Sequence, residues 1–324
     1  MATDPSTSLV AEFFAAARDS PLQISTVTVV GSGASSSIPK MSCVLSKKDC
    51  VACLDALRRP NGPNHRLNPS LLIRGELASK DGTKTVNVLI DCCKTFRESA
   101  LKVLAPMGVS TLDAVVLTHD HADATLGLDD LREFCSNHEA EEGRSTLSVW
   151  CDTRTADSMK RVFPYLFNVT KAQSYVALLE WQIFGGDSLI FPGGIPLLPL
   201  AVEHGKGYIS YGYAAMTTEG PLVYLSDVSE IPPATLSKIK ALGDLSVLIV
   251  DMLGFRQTPV HFNYDEAVAC TKQLNAKRTF FVGMGHMVEH SEVSTKLSAE
   301  FPDQQVALAY DGLVVMASKG SQKL

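Results

Sequence analysis

"VVLTHDHADATLGLDDLR", Val115–Arg132, decides how the rest of the chain is read. An apolar run passes through Thr118 into His119-Asp120-His121-Ala122-Asp123, and Ala124 follows. A buried strand that ends this way delivers ligand-type side chains to one place. In an extended segment residues i and i+2 point to the same side. His119 and His121 can therefore grip one ion while Asp123 faces a neighbouring one. Ala124 stands where a second ion would want one more imidazole, so the stretch alone leaves a two-ion site, a one-ion site and a worn-out copy open.

The rest of the chain supplies partners. Of eight histidines, six fall just after expected strands or in one motif-like cluster: His119, His121, His204, His261, His286 and His290. His65 and His138 lie elsewhere. Asp91, Asp123 and Asp227 also sit at strand ends. His204 ends "LLPLAVEH" and offers a third imidazole to the first ion. Asp227 ends "LVYLSD", and its two carboxylate oxygens can bridge two ions. His286 ends "FFVGMGH" and suits the second ion. Imidazole mixed with carboxylate favours zinc, manganese or iron over magnesium or calcium.

Periodicity places these residues in an α/β fold. Strands are expected at "QISTVTVV", "SLLIRGEL", "TVNVLID", "LDAVVL", "LSVWCD" and "LEWQIF", and again at "IPLLPLAVE", "YISYGYAAM", "PLVYLSD", "LSVLIVD", "RTFFV" and "QVALAYDGLVVMA". Lys80-Asp81-Gly82 reads as a hairpin turn. Helices are expected at "FRESALKVLAPMG", "LGLDDLREFCSNH", "RTADSMKRVFPYLF", "PPATLSKIKAL", "NYDEAVACTKQLN" and "SEVSTKLSAEF". Gly31-Ser32-Gly33 reads as a tight turn, since a lone GxG is weak evidence for phosphate binding. Two sheets with helices outside, a four-layer αββα sandwich, fit this order. Residues 1–24 form an N-terminal extension in which Leu9, Phe13 and Ala16 recur at helical spacing, as in a docked helix. Residues 25–324 are expected to form the one main domain.

Bulk properties narrow the partners. The 324 residues are 45% hydrophobic and 20% charged, a globular composition, and the net charge of -6 argues against a general nucleic-acid binder. No apolar run approaches the roughly 18–20 residues of a membrane span. The N-terminus lacks a basic region followed by an apolar core, so the expectation is a cytoplasmic protein whose eight cysteines are thiols or metal ligands. Cys92, Cys93, Cys135, Cys151 and Cys270 lie in apolar surroundings and read as core thiols. A homodimer is left open.

His-Asp-His-Ala-Asp after a strand, with Asp91 before it and His204, Asp227, His261 and His286 after it, resembles the metallo-β-lactamase superfamily. The resemblance runs from about Ser25 to Ala317. "GSGASSSIP", Cys43 with Cys50-x-x-Cys53, "DCCKTFRE", "THDHADATLGLDDLR", "YLSDVSEIP" and "GMGHMVEH" are similar to the PhnP-like branch, phosphodiesterases akin to phosphoribosyl cyclic phosphate phosphodiesterase. That branch implies a structural zinc on Cys43, Cys50, Cys53 and His290, and Cys50-x-x-Cys53 is a fit pair for tetrahedral zinc. It also implies that Asp91 orients the ligands from beneath, and that His261 is a non-ligand histidine near the scissile phosphate. The bland alternative for His261 is a cap on the helix starting near Tyr264.

The chemistry implied is a metal-dependent phosphodiesterase. Zn2+ or Mn2+, one or two ions, would lower the pKa of a bound water, hold the hydroxide for attack on a small cyclic or nucleotide-like phosphodiester, and neutralise the phosphoryl oxygens. Asp227 would organise the ions and His261 would serve the leaving oxygen. Without a histidine at Ala124, the second ion keeps Asp123, Asp227 and His286 and is the weaker one. A tRNA 3′-processing-type nuclease, a glyoxalase II-type thioesterase and a catalytically silent metal-binding protein are the alternatives.

Overall fold

The computed structural model describes residues 5–79, 82–135, 146–167 and 176–317. In chain order the elements are α1 (Pro5–Asp19), β1 (Leu22–Gly31), α2 (Met41–Leu45), α3 (Val51–Arg58), β2 (Ser70–Ser79), β3 (Gly82–Ile90), α4 (Phe96–Ser99), β4 (Ala114–Val116), α5 (Ala122–Thr125), β5 (Leu147–Asp152) and α6 (Thr153–Val162). Then follow β6 (Leu179–Phe184), β7 (Leu197–Glu203), β8 (Ile209–Thr217), β9 (Gly220–Leu225), α7 (Pro233–Ala241), β10 (Val247–Asp251), α8 (Tyr264–Leu274), β11 (Arg278–Val282), α9 (His290–Glu300), β12 (Gln305–Leu308) and β13 (Val314–Ala317). Lys80 and Asp81 of the expected hairpin turn, and His138, lie outside the described residues.

The strands follow the order β12-β11-β10-β9-β8-β1-β2-β3-β4-β5-β6, with β13 beside β1 and β7 beside β8. The two halves meet at β1 and β8, which share one parallel pair, Ile24↔Thr217. The rest of the architecture comes from side chains alternating between faces of each strand. Val247 and Ile249 of β10 enter one apolar cluster together with Ile73, Val88, Ile90 and Val116 of the other half. Their neighbours Leu248 and Val250 point the other way, to α1, α7, α8 and α9. In the first half Leu72, Leu89, Val115 and Val149 point outward to a third cluster with Phe96, Val103 and Met159. Helices, sheet, sheet, helices is thus the four-layer αββα arrangement expected. β9 to β12 and β3 to β6 pair in parallel. Parallel strands covered on both faces explain the near-continuous apolar runs such as "VLIV".

Two local expectations differ. The segment after the His motif is not one long helix. Helix α5 lasts one turn, and a 3-10 turn follows over Leu128–Glu133. Gly127 between them donates its N–H to Cys92 O at 2.9 Å, and a Cβ there would lie 2.3 Å from Cys93 O. This close approach to the strand-end loop breaks the helix. The segment "FRESALKVL" is helical but widens into a π-helix over Ala100–Leu104.

Helix α1 docks through Leu9, Val10 and Phe13 onto Leu198, Leu200 and Val202 of β7 and Ile239 and Leu242 at α7. Phe13 is 0% exposed. Phe13→Ala is expected to lower unfolding stability by about 3–5 kcal/mol through lost transfer energy and the cavity left behind. A denaturant titration that finds less than about 1 kcal/mol would show that α1 contributes little.

Candidate active site

The chain gathers its reactive side chains at the carboxyl ends of strands, the usual ligand-binding edge of such sheets. Asp91 follows β3, His119 follows β4, His204 follows β7, Asp227 follows β9, and Asp251 ends β10. Each strand has just given up its ladder partner there, so the next side chain is free to turn into the shared crevice.

Asp91 sits at φ 63° and is buried. Its Oδ1 accepts the Thr118 N–H at 2.8 Å, and its Oδ2 accepts the Thr118 hydroxyl at 2.9 Å. Thr118 Oγ1 in turn lies 2.8 Å from His119 Nδ1, which donates to it. This relay aims His119 Nε2 into the crevice. That nitrogen is buried without any hydrogen-bond partner, a costly state for a polar atom unless something fills it. His204 is set the same way: Nδ1–H donates to Val260 O at 2.6 Å, and Nε2 comes within 3.2 Å of His121 Nδ1. Donor atoms of His119, His121 and His204 all lie within 4.8 Å of one another. Imidazole nitrogens around a tetrahedral zinc are separated by roughly 3.3 Å, from Zn–N bonds of about 2.0–2.1 Å. Burial lowers the His119 pKa to about 3 and also lowers that of His204. Both rings are therefore neutral, the state that ligates metal. The three imidazoles fit an ion.

Asp227 lies beside this group, in a second one that it forms with His204 and His261, whose ligand atoms also lie within 4.8 Å of one another. It is buried, with Oδ1 3.9 Å from His204 Nε2 and 4.0 Å from His261 Nδ1. Burial works against its charge, but the neighbouring histidines, the imidazolium of His261 among them, and the Ser226 hydrogen bond outweigh it and hold Asp227 below the ordinary carboxylate range. Asp123 is buried close by, and burial, reinforced by Asp227, raises its pKa.

His261 is not a helix cap. Asn263 caps α8, accepting from Glu266 N at 2.9 Å while the Glu266 carboxylate accepts from Asn263 N at 2.9 Å. His261 is instead bound through Nδ1 to Asp251 Oδ2 at 2.7 Å. Burial disfavours the imidazolium, but the Asp251 carboxylate raises its pKa to about 9. Burial lifts the Asp251 pKa to about 7, against the pull of His261. Between these values the pair is carboxylate and imidazolium, with Nδ1 committed to Asp251. Asp251 was missed in the sequence. It ends an all-apolar strand as Asp227 does, and that shared pattern was the available signal.

Tyr208 and Arg154 were missed as well. The Tyr208 ring stacks on His121, with centroids 4.8 Å apart and planes at 20°. The Tyr208 hydroxyl donates to Asp120, and the Arg154 guanidinium lies over the Tyr208 ring at 3.9 Å. Asp120, the residue between the two histidines, thus points away from the crevice and braces the ring that braces His121. No spacing in the sequence announces this contact.

The second cluster corrects one expectation. His286 does not join Asp123 and Asp227. Its Nδ1 lies 3.3 Å from Cys43 Sγ and 3.4 Å from Cys50 Sγ, and Cys53 completes a group whose donor atoms lie within 4.8 Å of one another. Sulfur and nitrogen on a tetrahedral zinc would be roughly 3.5 Å apart, so this set could hold an ion. His290, expected in that place, lies elsewhere. It opens α9 with Glu289 as N-cap, and its Nδ1 is buried without a partner. The cause is the path after β11. Met284 bridges to Gly33, Gly285 N–H donates to Leu253 O at 2.8 Å, and Arg66 Nη1 holds Val288 O at 2.9 Å. These ties turn His286 toward the cysteine loop. Cys50→Ser and Cys53→Ser are each expected to remove about one metal equivalent per chain and to expose α2 and α3 to proteolysis. Unchanged metal content in both would exclude an ion there.

The chain is similar to known proteins over most of its length. Residues 86–284, more than half of the chain, match the model of the beta-lactamase superfamily domain. A diphosphatase of the PhnP family, known by its crystal structure, is 30% identical, with a TM-score of 0.70 over 91% of this chain and 100% of that one. An octanoyltransferase of Porphyromonas gingivalis is 26% identical over 294 residues, 90% of this chain. The chain spans about half, 52%, of that protein's length. A ribonuclease Z of Bradyrhizobium diazoefficiens is 25% identical over 299 residues, covering 77% of this chain and 94% of that protein. Among the described residues no helix is long and apolar enough to cross a membrane.

Proposed function

We propose that this chain, a metal-dependent hydrolase that belongs to the metallo-β-lactamase superfamily and to its PhnP-like branch, cleaves a small cyclic or nucleotide-like phosphodiester. The observation that carries the reading is the pairing of two devices in one crevice. His119, His121, His204 and Asp227 form a ligand set, and His261, bound to Asp251, stands against Asp227. Zinc or manganese, if held by these residues, would supply the positive charge that phosphoryl oxygens call for and would help to activate water.

The chain's own residues do the rest. Asp91, acting through Thr118, and the Val260 carbonyl fix which nitrogen His119 and His204 present. Tyr208 keeps His121 in its plane. Phosphodiester cleavage leaves an alkoxide that needs a proton, and His261 Nε2–H provides it, with Asp251 holding the ring and its charge. Cys43, Cys50, Cys53 and His286 would hold a structural zinc and tie α2 and α3 to the loop after β11. The 30% identity to a PhnP-family diphosphatase supports a phosphorus substrate.

Turnover of a chromogenic bis-aryl phosphodiester, compared with a thioester, tests the reaction class. A screen of 2′,3′-cyclic nucleotides and ribose cyclic phosphates by phosphorus NMR then narrows the substrate. Thioester cleavage with no phosphodiester turned over by zinc- or manganese-loaded protein would sink the proposal. Trimming of a precursor tRNA, without turnover of cyclic phosphates, would favour the nuclease reading suggested by the ribonuclease Z relative.

A further inference from the structure

We infer that the crevice holds one resident catalytic ion, not the pair that the superfamily pattern implies, because the second position has lost its imidazoles to three separate causes. This rests on the reading that His119, His121, His204 and Asp227 hold the first ion. The donors left for a second ion are Asp123 and a shared Asp227, since His261, which converges with His204 and Asp227, has its Nδ1 bound to Asp251 at 2.7 Å. Position 124 offers only a methyl group, 2% exposed. His286 is committed elsewhere, with Nδ1 3.3 Å from Cys43 Sγ and 3.4 Å from Cys50 Sγ. The residue that leaves β11 at the site edge is Gly283, which has no side chain to give.

Gly283 also shows why no ligand can stand there. Its φ is +72°, and a Cβ would lie 2.3 Å from Asp251 Oδ1. That space belongs to the carboxylate that binds His261 at 2.7 Å. The His261–Asp251 pair and a side chain at position 283 are therefore mutually exclusive in this backbone. Among the described residues, His, Cys, Asp and Glu donors converge in three groups, and Asp123 belongs to none of them. Catalytic zinc sites rest on three protein ligands. Two carboxylates, one of them shared, fall short of that, whereas three imidazoles and Asp227 satisfy it. The fully buried Asp251, whose Oδ1 has no partner, and His261 flank Asp227 where more ligands would be needed.

Elemental analysis of the gently purified, gel-filtered chain tests the count without needing activity. The expected total is about two equivalents per chain. His119→Ala/His121→Ala removes one and Cys50→Ser/Cys53→Ser removes the other, while Asp123→Asn removes none. Manganese-loaded protein is expected to show an isolated-ion electron paramagnetic resonance spectrum. A third equivalent that Asp123→Asn removes, or the spectrum of a spin-coupled manganese pair, overturns the inference and leaves the proposed reaction standing. A histidine double variant that keeps every equivalent overturns the centre itself and the inference with it. The count on the unmodified chain and the coupled-pair spectrum need no variant, so a misfolded variant does not shield the claim.

Discussion

His261→Ala is expected to slow cleavage of a phosphodiester with an alkyl leaving group by about 10²–10⁴-fold, the usual worth of a positioned general acid. An aryl ester with a good leaving group should lose much less, because a stable phenolate departs without a proton. Metal content should stay at the wild-type level. That contrast separates proton donation from metal binding. An equal loss for both leaving groups would overturn the acid role. The pH dependence follows from Asp251. An acid must be protonated to act, and Asp251 holds His261 protonated up to about pH 9. Activity that depends on His261 is therefore kept below that pH and lost above it. Asp251→Asn removes the carboxylate, lets burial pull the His261 pKa down, and should move the falling limb to lower pH. A loss of about 10–100-fold at neutral pH is expected, as for other partners that orient a reacting group. A profile that keeps its falling limb would show that Asp251 does not tune His261.

Asp227→Asn is expected to be the most damaging single change at the ion site. Its carboxylate stands among His204 and His261 at 3.9 and 4.0 Å and is held ionised by the neighbouring histidines, the imidazolium of His261 among them, against the cost of burial. An amide of the same shape keeps the packing but removes the charge. The expected results are loss of about one metal equivalent and a fall in turnover beyond the ~100-fold typical of an outer partner. The cysteine-bound equivalent should remain. The variant should fold, since the amide keeps the shape of the side chain and no apolar contact is lost. Full metal content with normal turnover would remove Asp227 from the ligand set.

Much of the layer order was legible because strand burial writes itself into apolar runs. "VLIV" and "AVV" are buried on both faces, and the helices between them carry one apolar stripe each. Leu9, Phe13 and Ala16 showed a docked helix by spacing, though not that α7 and β7 receive it. At the site, His119 and His121 were legible because two residues of separation puts both side chains on one side of an extended turn. His204 and Asp227 were legible because each terminates a strand. Asp251 obeyed the same rule but was hidden by its setting, a carboxylate at the end of an apolar strand with no motif around it.

By itself, then, the sequence determined the αββα layers and the strand-end placement of the histidines and aspartates, because each depends on periodicity along the chain. Only the tertiary structure decided which of His286 and His290 meets the cysteines, and that His261 belongs to Asp251 rather than to a helix cap. Those choices are made by contacts from distant segments: Gly33 on Met284, Leu253 on Gly285 and Arg66 on Val288 turn the loop after β11. A four-residue step between two histidines carries no record of such forces. The same turn places His286 among Cys43, Cys50 and Cys53 rather than with Asp227.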